Sequence, residues 1–128
     1  MMVNYLMYDS IRSACDVFVQ KHPELSDPDA AVGQCFAMSE AFCLDYTQLH
    51  GVLVDVGCDS HNYPRRHQRH HKYFALYHTI CLFPDKTMLD LTYRQLDHQG
   101  PIYNISTVEE IEKIWTIFSV LDPCVRVV

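Results

Sequence analysis

Three side chains, Cys35, His78 and Asp90, are of the types, and stand in the chain order, that thiolate chemistry uses. A cysteine attacks an electrophilic carbon only as the thiolate, so it needs an environment that stabilises the anion and a partner that takes the proton. Gly33 precedes an apolar run beginning at Cys35, which puts that cysteine at the start of a helix. There the unpaired backbone N–H groups and the helix dipole favour negative charge. His78 supplies a base, and Asp90 can hold its imidazole in the useful tautomer. The backbone N–H of Cys35 is the natural donor to a developing oxyanion, with Gln34 as a second candidate.

Those residues need elements to bring them together. From Tyr5 to Lys21 the apolar positions Tyr8, Ile11, Cys15, Phe18 and Val19 recur at steps of three and four, with His22-Pro23 closing an amphipathic helix. Ser26-Asp27-Pro28-Asp29 reads as a loop. The run from Cys35 to Leu49, ended by Gly51, is apolar around most of its circumference and is expected to be a central, buried helix. Val52 to Val56 reads as a strand. Tyr73 to Phe83 and Thr87 to Tyr93 read as a hairpin around Pro84-Asp85-Lys86, the second strand continuing to Gln95. In that hairpin His78 and Asp90 have the same parity, but a turn centred on Asp85 and Lys86 pairs Asp90 opposite Cys81, so the contact with His78 is diagonal or needs a bulge. Ser106 with Glu109 forms a capping-box pattern for a last helix whose buried face is Ile111, Ile114, Trp115 and Phe118, and Cys124 to Val128 reads as a short strand.

The strings around the three residues are similar to a known pattern. Gly33-Gln34-Cys35-Phe36 resembles the Gly-Gln-Cys-aromatic nucleophile motif of transglutaminases. His78 on a strand, followed by Leu89-Asp90-Leu91-Thr92, resembles the strand histidine and later Asp-x-Thr segment of that family. The Asp-Leu-Thr-x-x-Gln string, Asp90 to Gln95, is similar to that of bacterial papain-fold toxin domains associated with glutamine deamidation. The likeness spans Gly33 to Leu96, about half the chain by eye. It implies a papain-like or transglutaminase-like α+β core, with N-terminal helices and a buried nucleophile helix packed on an antiparallel sheet. It further implies a Cys35-His78-Asp90 triad, with Gln34, Thr92 and Gln95 as oxyanion or substrate-binding residues. Three features depart from it: Thr79, Ile80 and Cys81 follow His78 where an aromatic residue is usual, the family's large calcium-binding and β-sandwich domains do not fit in 128 residues, and there is no Cys-Gly-x-Cys-Trp string.

On that reading the activity is a cysteine amidohydrolase acting through a thioester on protein glutamine side chains, as a toxin or effector. The alternatives are a cysteine protease or a transglutaminase with the same triad, all needing no cofactor. A separate reading is a non-catalytic module built on the histidine-rich stretch Asp59 to Lys72. Cys58, His61, His67, His70 and His71 are ligand types for zinc at loose spacing, and Arg65, Arg66, Arg69 and Lys72 make the stretch locally basic, suited to an acidic partner. The bland reading of the stretch is a solvated loop. Cys43 and Cys81 are rival nucleophiles, but mid-helix and mid-strand positions lack the electrostatics of a helix start, so both read as core. Ser39, one turn after Cys35, reads as a local hydrogen-bonding residue.

Composition bounds these readings. With 128 residues, 48% of them hydrophobic, the chain suits one domain, 1–128. A formal charge of -6 disfavours a whole-molecule grip on nucleic acid or an anionic membrane. No apolar run is long enough to span a bilayer, and Met1 to Tyr8 lacks the order of a secretory signal, so the chain reads as cytoplasmic as encoded, with delivery into a target cell by a route using no cleaved signal as the alternative. The partners expected are a protein or peptide substrate and, for a toxin, an immunity or inhibitor protein covering the cleft. The six cysteines are scattered without a disulfide framework.

Overall fold

The computed structural model describes residues 5–31, 33–59, 75–95, 99–113 and 116–121. The first helix, α1, spans Tyr5–Lys21 as its periodicity predicts, and turns Ile11, Ala14, Cys15 and Phe18 into the core. A 3-10 turn, Pro23–Ser26, leads to a single helical turn, α2, at Pro28–Ala31, where the sequence suggested only a loop. The correction has a local cause: Pro28 is preset for a first helical position, the Asp27 carboxylate accepts the Asp29 N–H at 2.9 Å and the Asp27 carbonyl accepts the Ala31 N–H.

Gly33 then takes φ +80, a left-handed backbone that a side chain would strain, and the chain turns into α3, Cys35–Asp45. This helix is shorter than expected, with Thr47–Leu49 forming a separate 3-10 turn, and it is not buried all round. Ser39, Phe42 and Cys43 face inward while Ala37 is exposed and Leu44 is 49% exposed, so α3 lies on the sheet with one stripe buried.

A five-stranded sheet follows in the order β4-β3-β2-β1-β5, every pairing antiparallel, with β1 at Val52–Asp59, β2 at Ala75–Leu82, β3 at Thr87–Asp90, β4 at Asn104–Thr107 and β5 at Thr116–Leu121. Among the described residues the central strands β1, β2 and β3 bury side chains on both faces of the sheet. Leu53, Cys81, Phe83, Leu89 and Leu91 join Ile11, Phe18 and Phe42 in one core, whereas Val54, Val56, Ile80 and Met88 join Ile111 in a second. Two-sided burial explains why Val52, Leu53 and Val54 follow one another without alternation in β1, and Asp55, which interrupts them, accepts the Thr79 hydroxyl at 3.0 Å. Edge-to-face contacts Phe18–Phe42 (5.4 Å) and Phe42–Phe83 (6.3 Å) tie α1 through α3 to the sheet.

The end of the chain departs most from the sequence reading. The last helix, α4, is only Val108–Glu112, and its cap is Thr107, whose hydroxyl accepts the Glu110 N–H, one residue later than the expected Ser106–Glu109 box. Phe118 belongs to β5, not to a helix: Thr116, Ile117, Phe118 and Val120 are strand formers, and pairing with β1 outweighs the helical period. Ile111 is buried as expected, while Ile114, Trp115 and Cys124 to Val128 lie outside the described residues. Among the described residues no helix is long and apolar enough to cross a membrane.

Candidate active site

The hairpin turn sets the register on which the site depends. Phe83 N–H donates to the Thr87 carbonyl, Lys86 N–H donates to the Phe83 carbonyl, and Lys86 takes φ 70, so the loop is the three residues Pro84-Asp85-Lys86. Leu82 therefore faces Met88 and Cys81 faces Leu89, not Asp90 as a turn centred on Asp85 and Lys86 would have it, because the turn is centred on Asp85. Asp90 falls one step past that ladder, diagonal to His78, as the parity argument allowed, and no bulge is needed between β2 and β3. The diagonal reach suffices: His78 Nε2 and Asp90 Oδ2 are 2.8 Å apart, both residues at most 5% exposed.

After Asp90 the chain leaves the sheet. β3 ends there, not at Tyr93 or Gln95, and Tyr93–Gln95 forms a 3-10 turn closed by Gln95 N–H to the Thr92 carbonyl. That reversal folds Thr92 and Gln95 back over the pair. Asp90 Oδ1 accepts the Thr92 N–H at 3.1 Å, with the Thr92 hydroxyl at 3.5 Å; Gln95 Nε2 donates to the Thr92 hydroxyl at 2.9 Å and lies 3.3 Å from His78 Nδ1. Hydrogen bonds thus run from His78 through Asp90 and Thr92 to Gln95, whose amide nitrogen comes back against the His78 ring.

The early exit of β3 also frees the edge of β2 for α3. Main-chain groups of a strand lie in the plane of its sheet. The Thr79 carbonyl accepts the Ser39 hydroxyl at 3.2 Å, and the Thr79 backbone hydrogen-bonds Cys35. One turn further along α3, Cys43 Sγ lies 3.7 Å from Cys81 Sγ. Cys35, Ser39 and Cys43, spaced by four, thus run beside β2 and deliver the first of them to His78, whose side chain hydrogen-bonds Cys35. With Nε2 given to Asp90, Nδ1 is the nitrogen left for the thiol.

The charges follow from these contacts. Burial alone raises the Cys35 thiol, but the His78 hydrogen bond and charge, with the Thr79 backbone bond, bring it below its ordinary value. Burial pulls His78 down, yet the Asp90 charge and hydrogen bond, together with Cys35, carry it up to about 10. Both shifts run in the direction that favours a thiolate–imidazolium pair. The rival thiols behave oppositely: the Cys43 contact, then burial, push Cys81 up, and burial followed by Asp16 pushes Cys15 up. Cys15, Cys43 and Cys81 are buried and in no disulfide, as their reading as core residues requires.

Gln34 is the residue before α3, half-buried, with its main-chain N–H on the Ala31 carbonyl and no capping bond from its side chain. It remains beside Cys35. Thr92 and Gln95 are placed differently from the expectation of oxyanion or substrate contact: Thr92 is 1% exposed, and both turn toward the His78–Asp90 pair because the 3-10 turn reverses the chain. Ser39 is more than a local hydrogen-bonding residue, and the Thr79 main chain could not have been found from sequence, since any residue offers the same groups. The histidine-rich stretch, with His61, His67, His70, His71 and the side chain of Cys58, lies outside the described residues. Among the described residues no cluster of three or more His, Cys, Asp or Glu could hold a metal.

Searched against known proteins, the chain matches no family model, no curated protein and no solved structure.

Proposed function

We propose that this chain is a papain-like cysteine amidohydrolase that deamidates protein glutamine side chains through Cys35, His78 and Asp90. The observation that carries the reading is the connection of a helix-start thiol to a buried histidine whose far nitrogen is held by a buried carboxylate. Glutamine as substrate rests on the resemblance of the Asp90–Gln95 string alone. The Cys35 thiolate attacks the side-chain carbonyl carbon, and the tetrahedral oxyanion is met by the Cys35 N–H at the start of α3, where no intrahelical carbonyl competes for it. The C–N bond then breaks as the His78 Nδ1 proton passes to the leaving nitrogen, giving ammonia and a thioester. Water attacks the thioester with His78 as base, releasing glutamate and restoring the thiolate. Asp90 keeps its hold on Nε2 throughout, so the ring cannot turn away.

The test is incubation of the purified chain and its Cys35→Ala variant with glutamine-containing proteins and peptides. Deamidation appears as released ammonia and a gain of about one dalton at glutamine, the mass difference of an amide and an acid, and is absent with the variant. Backbone cleavage would replace this reading with a protease; isopeptide products formed with added amine would replace it with a transglutaminase. Full activity in Cys35→Ala would remove the thiol mechanism altogether.

A further inference from the structure

Arg94 bonds both of the stretches of chain that build the site. It lies in the 3-10 turn Tyr93–Gln95, between Thr92 and Gln95, whose side chains stand against the His78–Asp90 pair. Its guanidinium reaches from that turn to two main-chain oxygens: Nη1 donates to the Ser26 carbonyl at 2.7 Å and Nε donates to the Gly100 carbonyl at 3.1 Å. Both donors belong to one planar cation that stays charged wherever the chain is folded, so the two bonds are charge-assisted and set from one rigid frame.

Ser26 leads directly to Cys35. Ala31 N–H donates to the Asp27 carbonyl at 2.9 Å, Gln34 N–H to the Ala31 carbonyl at 3.2 Å and Met38 N–H to the Gln34 carbonyl at 2.9 Å, so each turn after Ser26 is bonded to the next as far as α3. Leu25 and Ala31, which flank this segment's start and middle, are fully buried. A displacement at Ser26 is therefore passed on to the start of α3. On the other side, Gln95 N–H donates to the Thr92 carbonyl at 3.1 Å and Thr92 N–H to Asp90 Oδ1 at 3.1 Å, which ties Arg94 to the carboxylate that holds His78. The two halves of the site meet at the Cys35–His78 hydrogen bond, and Arg94 joins them a second time.

We infer that Arg94 is a positioning residue that fixes the spacing between the Cys35 segment and the turn beside the His78–Asp90 pair. The inference rests on the triad reading and adds to it a residue outside the reacting atoms. Burial, His78 from β2, the Thr79 main chain and Asp90 from β3 are what shift the Cys35 thiol, so Arg94 acts on it through the closeness of His78 and Thr79 and not through its own charge. With Arg94 gone, those bonds lengthen, burial is less fully offset, and the thiol rises toward its ordinary value. Lysine in its place keeps the charge but offers one nitrogen where the guanidinium uses two. Arg94 is half-buried, so replacing it leaves both cores in place.

The experiment is the pH profile of Cys35 alkylation by iodoacetamide in the whole chain, in wild type, Arg94→Met, Arg94→Lys and Ile111→Ala, at a temperature where circular dichroism shows each to be folded. Ile111 belongs to the second core, and its helix α4 is bonded to the hairpin turn through Val108 N–H and the Lys86 carbonyl, so truncating it loosens the fold without entering either segment. The Cys35 midpoint is expected to rise by about half to one pH unit in Arg94→Met, which slows labelling at mildly acidic pH by roughly threefold to tenfold. Arg94→Lys is expected to fall between Arg94→Met and wild type, and Ile111→Ala to keep the wild-type midpoint. Should Arg94→Met fail to fold, Arg94→Lys carries the test, with a midpoint above wild type as the expected result. A wild-type midpoint in the Arg94 variants, or an equal rise in Ile111→Ala, overturns the inference while leaving the triad intact. Failure of the triad itself shows separately, as wild-type Cys35 labelling no faster than the other thiols and indifferent to His78→Ala.

Discussion

The Ser39 hydroxyl donates to the Thr79 carbonyl at 3.2 Å, joining the inner stripe of α3 to the edge of β2 one residue from His78. Ser39 is 1% exposed and Thr79 7%, so water cannot replace the bond if the hydroxyl is removed. Ser39→Ala leaves a buried carbonyl without that donor and is expected to cost about 1–3 kcal/mol, measured by urea denaturation. Because the same stripe carries Cys35, the variant should also slow Cys35 labelling. Unchanged stability would show that the carbonyl finds another partner and that the stripe is not anchored there.

A pH series tests the ion pair. His78 is raised to about 10 from an ordinary 6.5, so the stability it contributes is complete below about 6.5 and is lost as pH climbs through about 10. Cys35 is lowered, so its contribution is present above the ordinary thiol value and is lost as pH falls through the lowered one. Alkylation of Cys35 should persist at pH values where a free thiol is mostly protonated, and His78→Ala should move its acid limb upward. Unfolding free energy, compared between wild type and His78→Ala, should show the histidine's contribution shrinking as pH rises from neutral toward 10. A difference independent of pH would mean that His78 is held neutral.

Much of this was legible in the sequence, and the illegible parts share a cause. The helix α1, the hairpin and the order Cys35, His78, Asp90 were readable because each depends on local pattern or on parity within one turn. The short strand β4, Asn104–Thr107, was not, because Asn-Ile-Ser-Thr is a strand only by virtue of β3 beside it. Likewise Thr116–Leu121 has strand-forming residues that spoke for β5, yet the apolar spacing of Ile111, Ile114, Trp115 and Phe118 read more strongly as helix. Thr92 and Gln95 could be named but not oriented, since the end of β3 at Asp90 decides which way they point.

Gly51 offers a test of how closely α3 is seated. A Cβ there would lie 2.8 Å from the Phe83 ring and 3.2 Å from Cys43 Sγ, both core atoms with little room to yield. Gly51→Ala should therefore destabilise the chain by about 1–3 kcal/mol through overpacking, seen as a lowered Tm. Cys43→Ala in the same chain removes one of the two clashing groups and should recover part of the loss. An alanine tolerated without cost would mean that β1 and α3 can separate locally, and that the seat of Cys35 is looser than the contacts require.

Asp90→Asn separates orientation from charge. The asparagine side chain fills the same space and can still accept from His78 Nε2 through its oxygen, so the 2.8 Å contact can be kept while the negative charge is lost, together with the acceptor for the Thr92 N–H that the amide nitrogen now replaces. Without that charge the leading influence raising His78 disappears, and burial draws its pKa back down from about 10. The imidazolium then forms less readily, and the Cys35 thiolate loses the cation that stabilises it. Turnover on a glutamine substrate is expected to fall by on the order of 10⁴, the loss known when a triad carboxylate becomes an amide. Cys35 labelling should slow most at low pH, and partial recovery at alkaline pH is required, because there solvent can generate the thiolate unaided. If labelling and turnover both kept their wild-type pH profiles, Asp90 would be a structural acid of the β3 end, and the base opposite Cys35 would have to draw its proton affinity from elsewhere.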